Sequence, residues 1–330
     1  MIEAAIIDEG WDKGTNWEAT YAGALSFMRR KYTRDLSGVD IAVTGVPFDQ
    51  AVSHRSGTRM GPEGIRRASA ANAWGPLWPW NFDPFETLAV IDYGDCFFDW
   101  GRKEDFPQRL EDHATEIISS GAEMISLGGD HYVTYPLLRA HAKKHGPLSL
   151  IHFDAHRDVE PDDGGRIDHG TMFGYAVKEG LIDPKKSVQI GIRTVFAGER
   201  TYGFKIVYAD EAHESTPAQL ADIIRKVVGG NKAYLTFDID CLDPSVAPGT
   251  GTPIPGGLSY HQAAAVIRKL TDINFVAMDV VEVSPPYDHA DITSIAASNM
   301  LGMRRPGSGW MVTPHSPSNN ARVVGSLTWR

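Results

Sequence analysis

Four short stretches carry side chains that could do metal chemistry. "LIHFDAHRDV" (150–159) sets Asp154, His156 and Asp158 at alternate positions, and "AYLTFDIDCLD" (233–243) repeats the pattern with Asp238 and Asp240. "EMISLGGDH" (123–131) ends in Asp130 and His131, and "FVAMDVVEV" (275–283) carries Asp279 and Glu282. In an extended segment, residues i, i+2 and i+4 point the same way, so the alternation predicts that Asp154, His156 and Asp158 converge, as do Asp238 and Asp240. A lone D-x-D is ordinarily the solvent face of a half-buried strand. Here the preceding "SLI" and "YLTF" have no polar alternation and read as buried on both faces. Carboxylates gathered at the ends of such strands repel one another and lose hydration unless a cation neutralises them. Four carboxylates (Asp154, Asp158, Asp238, Asp240) and two imidazoles (His131, His156) form an oxygen-rich set. It suits Mn²⁺ better than a structural Zn²⁺, and Ni²⁺ or Co²⁺ could also occupy it. Six ligands are too many for one ion that keeps an open position, and predict two Mn²⁺ bridged by shared carboxylates. Such a pair makes a nucleophile from water at neutral pH and draws in a cationic substrate.

The elements that must position these residues are legible as alternating strands and helices. Strands are predicted over 39–47, 87–95, 123–129, 148–154, 187–193, 204–210, 233–240 and 275–283, and helices over 107–121, 216–230, 259–270 and 291–305. Repeated strand–helix–strand units mean an α/β protein with a mostly parallel sheet and helices on both faces. Ligands in such a fold bind beyond the carboxyl ends of the strands, where all four stretches end. We expect an N-terminal extension (1–37), one catalytic domain (38–305) and a Gly-, Ser-, Pro- and Asn-rich tail (306–330), either extended or packed on a neighbouring subunit.

The totals exclude several roles. The 330 residues are 42% hydrophobic and 22% charged, as expected for a globular protein, and carry a formal charge of −10. That sign disfavours nucleic acid and mildly favours a small cation. Cys96 and Cys241 are too few for a disulfide framework or a four-thiolate site. No apolar run reaches the roughly 18 residues of a membrane span, and "MIEAAIIDEGWDKG" is no secretory signal, so a cytoplasmic protein with no membrane partner is expected.

In this order, "SLGGDH", "HFDAHRD", "TFDIDCLDPSVAPGTGTPIPGGLS" and "MDVVEVSPPYD" resemble the signatures of the ureohydrolase (arginase/agmatinase) family, with similarity from about residue 43 to 300. The resemblance implies a three-layer α/β/α fold around an eight-stranded sheet, a dinuclear manganese centre, and hydrolysis of a guanidinium group to urea and an amine. It also implies a homotrimer or homohexamer. Carried across, His131 and Asp158 would bind one ion, His156 and Asp240 the other, and Asp154 and Asp238 would bridge them. A hydroxide between the ions would attack the guanidinium carbon, and Asp158 would pass its proton to the departing amine. His169, in "IDHGTMF", matches the proton-shuttling histidine; Glu282 matches the glutamate that pairs with the guanidinium; Thr252 lines the same pocket.

The substrate's tail is set by other residues. Arginases follow the strand matching 187–193 with an acidic segment that contacts the α-amino group; here "RTVF" puts Thr194 and Phe196 where acids would be. Residues 167–194 and "TGVPFD" look more like agmatinases, which act on decarboxylated arginine. The loop 159–168 should lie over the pocket mouth, with Glu160, Asp162, Asp163 and Asp168 available to an ammonium, and Asp163 is taken as substrate-binding. Arg157 departs from the small residue usual in "DAHxD". Turned away, it is a structural ion-pair partner. At the rim, it or Arg166 would favour a carboxylate tail, as in 4-guanidinobutyrate or 3-guanidinopropionate.

Asp130 and Asp243 read as orienting groups, and Gly249, Gly251, Gly256 and Gly257 as turn formers. The aromatic stretch 74–82 reads as core or subunit packing, and Cys241 has no thiolate role. Two rival classes remain: a dinuclear phosphoesterase, which would need cationic clamps the motifs do not supply, and an inactive metal-binding scaffold, which would not need His169 and Glu282 as well.

Overall fold

Eight short runs rich in Val, Ile, Leu and Phe form one parallel sheet: β1 (Ile41–Gly45), β2 (Val90–Asp95), β3 (Glu123–Leu127), β4 (Ser149–Phe153), β5 (Val188–Ile192), β6 (Lys205–Tyr208), β7 (Lys232–Asp238) and β8 (Asn274–Val281). The computed structural model describes residues 20–301 except 74, 77, 80–82, 87, 162, 163 and 199. The aromatic stretch 74–82 is therefore described only in part. Asp162, Asp163 and the tail 306–330 lie outside the described residues.

All neighbouring strands run parallel, in the order β2-β1-β3-β8-β7-β4-β5-β6. The helices are α1 (Gly61–Ser69), α2 (Phe106–Ser119), α3 (Thr134–His145), α4 (Met172–Lys178), α5 (Ala209–Glu214), α6 (Pro217–Val228), α7 (Tyr260–Ile267) and α8 (Ile292–Leu301). Thr216 starts α6 as the sequence suggests: its hydroxyl accepts from Gln219 N while Gln219 returns a bond to Thr216 N, and Pro217 opens the helix where no N–H is needed.

Strand residues alternate between two cores. Val43, Ile125, Ile151, Leu235 and Met278 pack with α1, α5, α6, α7 and α8, whereas Ala42, Met124, Leu150, Tyr234 and Ala277 face α2, α3 and α4. Burial on both faces is why these strands read as continuous apolar runs. The three-layer α/β/α arrangement is the one expected. Part of the N-terminal extension belongs to this body: Phe27 and Met28 are buried in the first core, and Phe27 N donates to Asp92 Oδ2 at 2.7 Å.

One row across the sheet breaks the apolar pattern. Ser126, Asp279, Thr236, His152 and Gln189 are paired successively across β3, β8, β7, β4 and β5, and every one is buried. This polar rung lies just below the carboxyl ends of the four central strands, where the candidate ligands gather.

Candidate metal centre

His131 follows β3 and the pair Gly128–Gly129, which allows close approach: a Cβ on Gly129 would come within 1.8 Å of the Phe48 carbonyl oxygen. Nδ1 of His131 lies 3.0 Å from Asp154 Oδ2, 3.0 Å from Asp158 Oδ2 and 3.2 Å from Asp238 Oδ2. None of the three lies in line for a hydrogen bond, so Nδ1 is a buried atom without a hydrogen-bond partner among the described residues. On the other side of Asp154, His156 Nδ1 is 3.3 Å from Asp154 Oδ1 and 3.1 Å from Asp240 Oδ2. The six residues singled out from sequence thus meet in two groups that share Asp154, one oxygen facing each.

They do not converge by strand alternation. β4 ends at Phe153, and Asp158 reaches the cluster through a left-handed backbone with φ 55°. Asp238 closes β7, and Asp240 stands in a single 3₁₀ turn whose N–H donates to Asp238 Oδ1 at 2.8 Å. The alternation expected from sequence is therefore corrected: turns aim these acids. Asp158 and Glu282 (φ 62°) both hold backbone conformations that side-chain-bearing residues rarely adopt, a strain that concentrates at functional sites.

The electrostatics call for a cation. Burial and the charges of Asp240 and Asp154 push the Asp238 carboxyl well above its usual range, and burial and Asp154 raise Asp158. Burial would raise Asp154 too, but His152, His131 and His156 hold it well below. Burial would lower His131 and His156, but the facing carboxylates push His131 well above its usual range and His156 up to about 12, so the cluster gathers positive charge onto its own rings. The donor set fits a pair of divalent ions with Asp154 placed to bridge.

The polar rung orients the ligands. His131 Nε2 contacts Thr236 Oγ1, whose proton goes to Asp279 Oδ1. His152 Nε2 is 2.6 Å from Asp154 Oδ2, while Gln189 Nε2 donates to His152 Nδ1 at 3.0 Å, so His152 gives its proton to Asp154. His152, Thr236 and Gln189 were missed from sequence. Their signal was a polar residue inside a run otherwise buried, two positions before a ligand in the case of His152 and Thr236.

Beside the cluster lies a narrow cleft of about 70 Å³, lined by His131, His156, Asp158 and Asp238 together with Thr252, His169 and Glu160. His169 is buried, not a solvent-exposed loop residue. Its Nδ1 is 3.1 Å from Glu282 Oε1, and Ser53 N donates to its Nε2 at 2.9 Å. Burial alone would lower the His169 pKa, but Glu282, Asp158 and Asp130 push it up to about 9. The fixed Ser53 N–H points into Nε2 and needs a lone pair there, so the neutral ring carries its proton on Nδ1, facing Glu282, and this contact opposes the charged form that the acids favour. Ser53 is a further residue that sequence reasoning missed; its loop is held by Asp130, which accepts from Ala51 N, and by Asp49, which accepts from Gly57 N. Glu282 Oε1 also takes the His131 N–H at 2.8 Å, while its buried Oε2 has no hydrogen-bond partner among the described residues. Thr252 donates to Asp240 Oδ2 at 3.2 Å.

Arg157 is buried and points to the Arg200 carbonyl, not the cleft, and Arg166 is exposed and pairs with Asp168 at 2.9 Å. Asp243 orders a turn by accepting from the Gly256 and Gly257 N–H groups. Thr194 caps the Ala155 carbonyl, while Phe196 lines the cleft. Cys241 is buried, and burial first, then Asp238 and Asp240, push its thiol well above the usual range, so it stays protonated.

The chain belongs to the arginase family, whose sequence pattern matches residues 39–303. Among its relatives, an agmatinase of Chromobacterium violaceum is 57% identical over 290 residues, covering 87% of this chain and 89% of that protein. An agmatinase of Neisseria meningitidis serogroup C is 53% identical over 80% of this chain and 85% of its own length. A crystal structure of a hypothetical agmatinase from Burkholderia thailandensis superposes with a TM-score of 0.86 at 53% identity, covering 92% of this chain and 95% of that one. Proclavaminate amidino hydrolase from Streptomyces clavuligerus superposes with a TM-score of 0.81 at 38% identity, covering 86% and 97%.

Proposed function

We propose that this protein is an amidinohydrolase that takes agmatine and water to putrescine and urea with two Mn²⁺ per subunit. His131 and Asp158 would hold one ion, His156 and Asp240 the other, and Asp154 and Asp238 both. When bound, the ions supply acidified water and balance the charge that develops on it. The chain's own residues do the rest. Glu282 Oε2 accepts the guanidinium N–H groups while Oε1 stays fixed on His131 N and His169. Asp158, at the cleft wall, takes a proton and returns it to the departing amine, and His169 Nδ1 carries a proton between Glu282 and the cleft. Thr252 steadies Asp240 and walls the same space.

The observation that carries this reading is Glu282 Oε2, without a hydrogen-bond partner among the described residues, beside a cluster of buried carboxylates. An unpaired buried carboxylate oxygen is costly, and a guanidinium satisfies it with charge and N–H groups together. Among the described residues no lysine or arginine lines the cleft. That favours the cationic tail of agmatine over the carboxylate of 4-guanidinobutyrate or 3-guanidinopropionate, and leaves a phosphoester without a clamp. The agmatinase names of the relatives point the same way. Two free, buried cysteines suit a reducing cytoplasm, and no helix among the described residues is long and apolar enough to cross a membrane. Residues 38–305 are proposed as the catalytic domain, assembling as a homotrimer or homohexamer. The test is urea release by manganese-loaded protein from agmatine, the two guanidino acids and L-arginine. Agmatine should lead by at least about a hundredfold in kcat/KM, and no turnover of agmatine overturns the proposal.

A further inference from the structure

The hydrolytic centre grips a guanidinium whatever it is attached to, so some other group must read the tail. We propose that Glu160 binds the tail's terminal ammonium and so sets the preference for a cationic guanidino substrate. This rests on the amidinohydrolase reading above. Glu160 lines the cleft with Asp158, His156 and His169, and it is half-buried. Its carboxylate has no hydrogen-bond or ion-pair partner among the described residues. The other described acid of the same loop differs: Asp168 already accepts from Gly170 N and pairs with Arg166. A carboxylate drawn partly out of water beside Asp158, near His169 and His156 but bonded to neither, is a position that a cation suits.

Its position is also fixed. Glu160 N donates to the Gly170 carbonyl at 2.9 Å, tying it to the segment that carries His169. The carboxylate rests over Gly170, where a Cβ would meet its Cδ at 3.0 Å and both oxygens at 3.1 Å. A side chain at Gly170 would displace the group; glycine leaves room for it. Phe196 on the cleft wall offers an apolar surface to the methylenes between the two charged ends. Guanidinium at Glu282 and ammonium at Glu160 make a two-ended clamp for a dication, and the same acid repels a tail carboxylate.

The test is Glu160→Gln, which keeps shape and removes charge, assayed with agmatine and 4-guanidinobutyrate, with bound manganese measured on the same samples. KM for agmatine should rise about tenfold, the size expected for a partly buried charge pair, with kcat changing far less. The agmatine-to-guanidinobutyrate ratio of kcat/KM should fall at least tenfold with manganese content retained, and Glu160→Asp should recover part of it. An unchanged ratio in an enzyme whose wild type hydrolyses agmatine overturns this inference alone. Equal loss on both substrates accompanied by manganese loss overturns it as well, assigning Glu160 to the metal site. A wild type inactive on agmatine removes the functional reading itself.

Discussion

The Thr236 hydroxyl stands 2.8 Å from His131 Nε2, and it decides which nitrogen of that ring is bare. Its proton is donated to Asp279 Oδ1 at 2.6 Å, so toward the imidazole it accepts, and Nε2 must be the N–H. Asp279 is held as an acceptor by two more hydroxyls, Thr134 Oγ1 and Tyr234 OH, each 2.8 Å from Oδ2. The consequence is an Nδ1 lone pair facing three carboxylate oxygens. Three hydroxyls gathered on Asp279 thus prepare a candidate ligand from outside the proposed metal site.

Thr236→Val should therefore weaken manganese binding about 10- to 100-fold, the range found when such outer partners are lost. Equilibrium dialysis or the electron-spin signal of free Mn²⁺ measures it directly. Thr236→Ser keeps the hydroxyl and should bind nearly as the parent does. Equal affinity in all three proteins would show that the relay sets nothing.

Asp154 and Asp238 both face His131 in the candidate cluster, yet their environments push them apart. Against burial, Asp154 is held low by three imidazoles, whereas Asp238 is forced high by burial and by its neighbours' charge. At neutral pH the ionised Asp154 stabilises the fold, a benefit lost as pH falls through its depressed pKa. Asp238 destabilises the metal-free fold, a penalty that shrinks as pH falls from its raised pKa toward the ordinary carboxylate value. Both Asp154→Asn and Asp238→Asn should abolish turnover without unfolding the chain. In metal-free protein, Asp154→Asn should lower Tm and Asp238→Asn should raise it. Manganese at a hundred times its Kd should stabilise the parent by about 2.7 kcal/mol for each site filled, and either variant by much less. Calorimetry with and without chelator reads all of these.

The sheet was legible because burial on both faces writes strands as unbroken apolar runs. All eight strands match the predicted ranges to within a residue of their starts or inside them, and the ends of α6 are marked by Thr216 and Gly229. The candidate ligands were legible as a group that the fold brings together, since carboxylates that end buried runs repel one another unless a cation sits among them. The way they converge was not. Asp158 uses a left-handed turn and Asp240 a 3₁₀ turn, and local backbone of that kind leaves no trace in spacing. His152, Thr236 and Gln189 escaped because their meaning depends on register between strands distant in sequence. Ser53 escaped because a serine in a polar loop looks like any other until the fold brings it to His169.

His141 supplies a pH dependence away from the metal. It is buried in α3 with neither ring nitrogen bonded among the described residues, and burial, with His145 and Lys144, pulls its pKa down to about 3. The unfolded chain takes up this proton near pH 6.5, whereas the folded chain refuses it until about 3. Stability contributed here is present above about pH 6.5 and falls as pH drops through that window, by roughly 2 kcal/mol at pH 5. His141→Leu should flatten the fall in urea midpoint between pH 7 and 5 relative to the parent. An unchanged slope would show that the ring takes up its proton in the folded state.

Glu282 joins three parts of the site through one carboxylate. Oε1 accepts from His131 N and faces His169 Nδ1, and Oε2, which has no partner among the described residues, is the atom proposed to take the guanidinium. In Glu282→Gln the amide must turn its oxygen toward the two donors, because an NH₂ placed there would face N–H groups at hydrogen-bond distance. The NH₂ then occupies the position of Oε2 and meets the guanidinium with donors against donors. The protein should fold and keep its manganese, since the bonds that fix the loop survive. Agmatine should lose both binding and turnover, with kcat/KM down about a thousandfold, comparable to losing a buried charged partner. A variant that kept kcat/KM within tenfold would mean the guanidinium is held elsewhere.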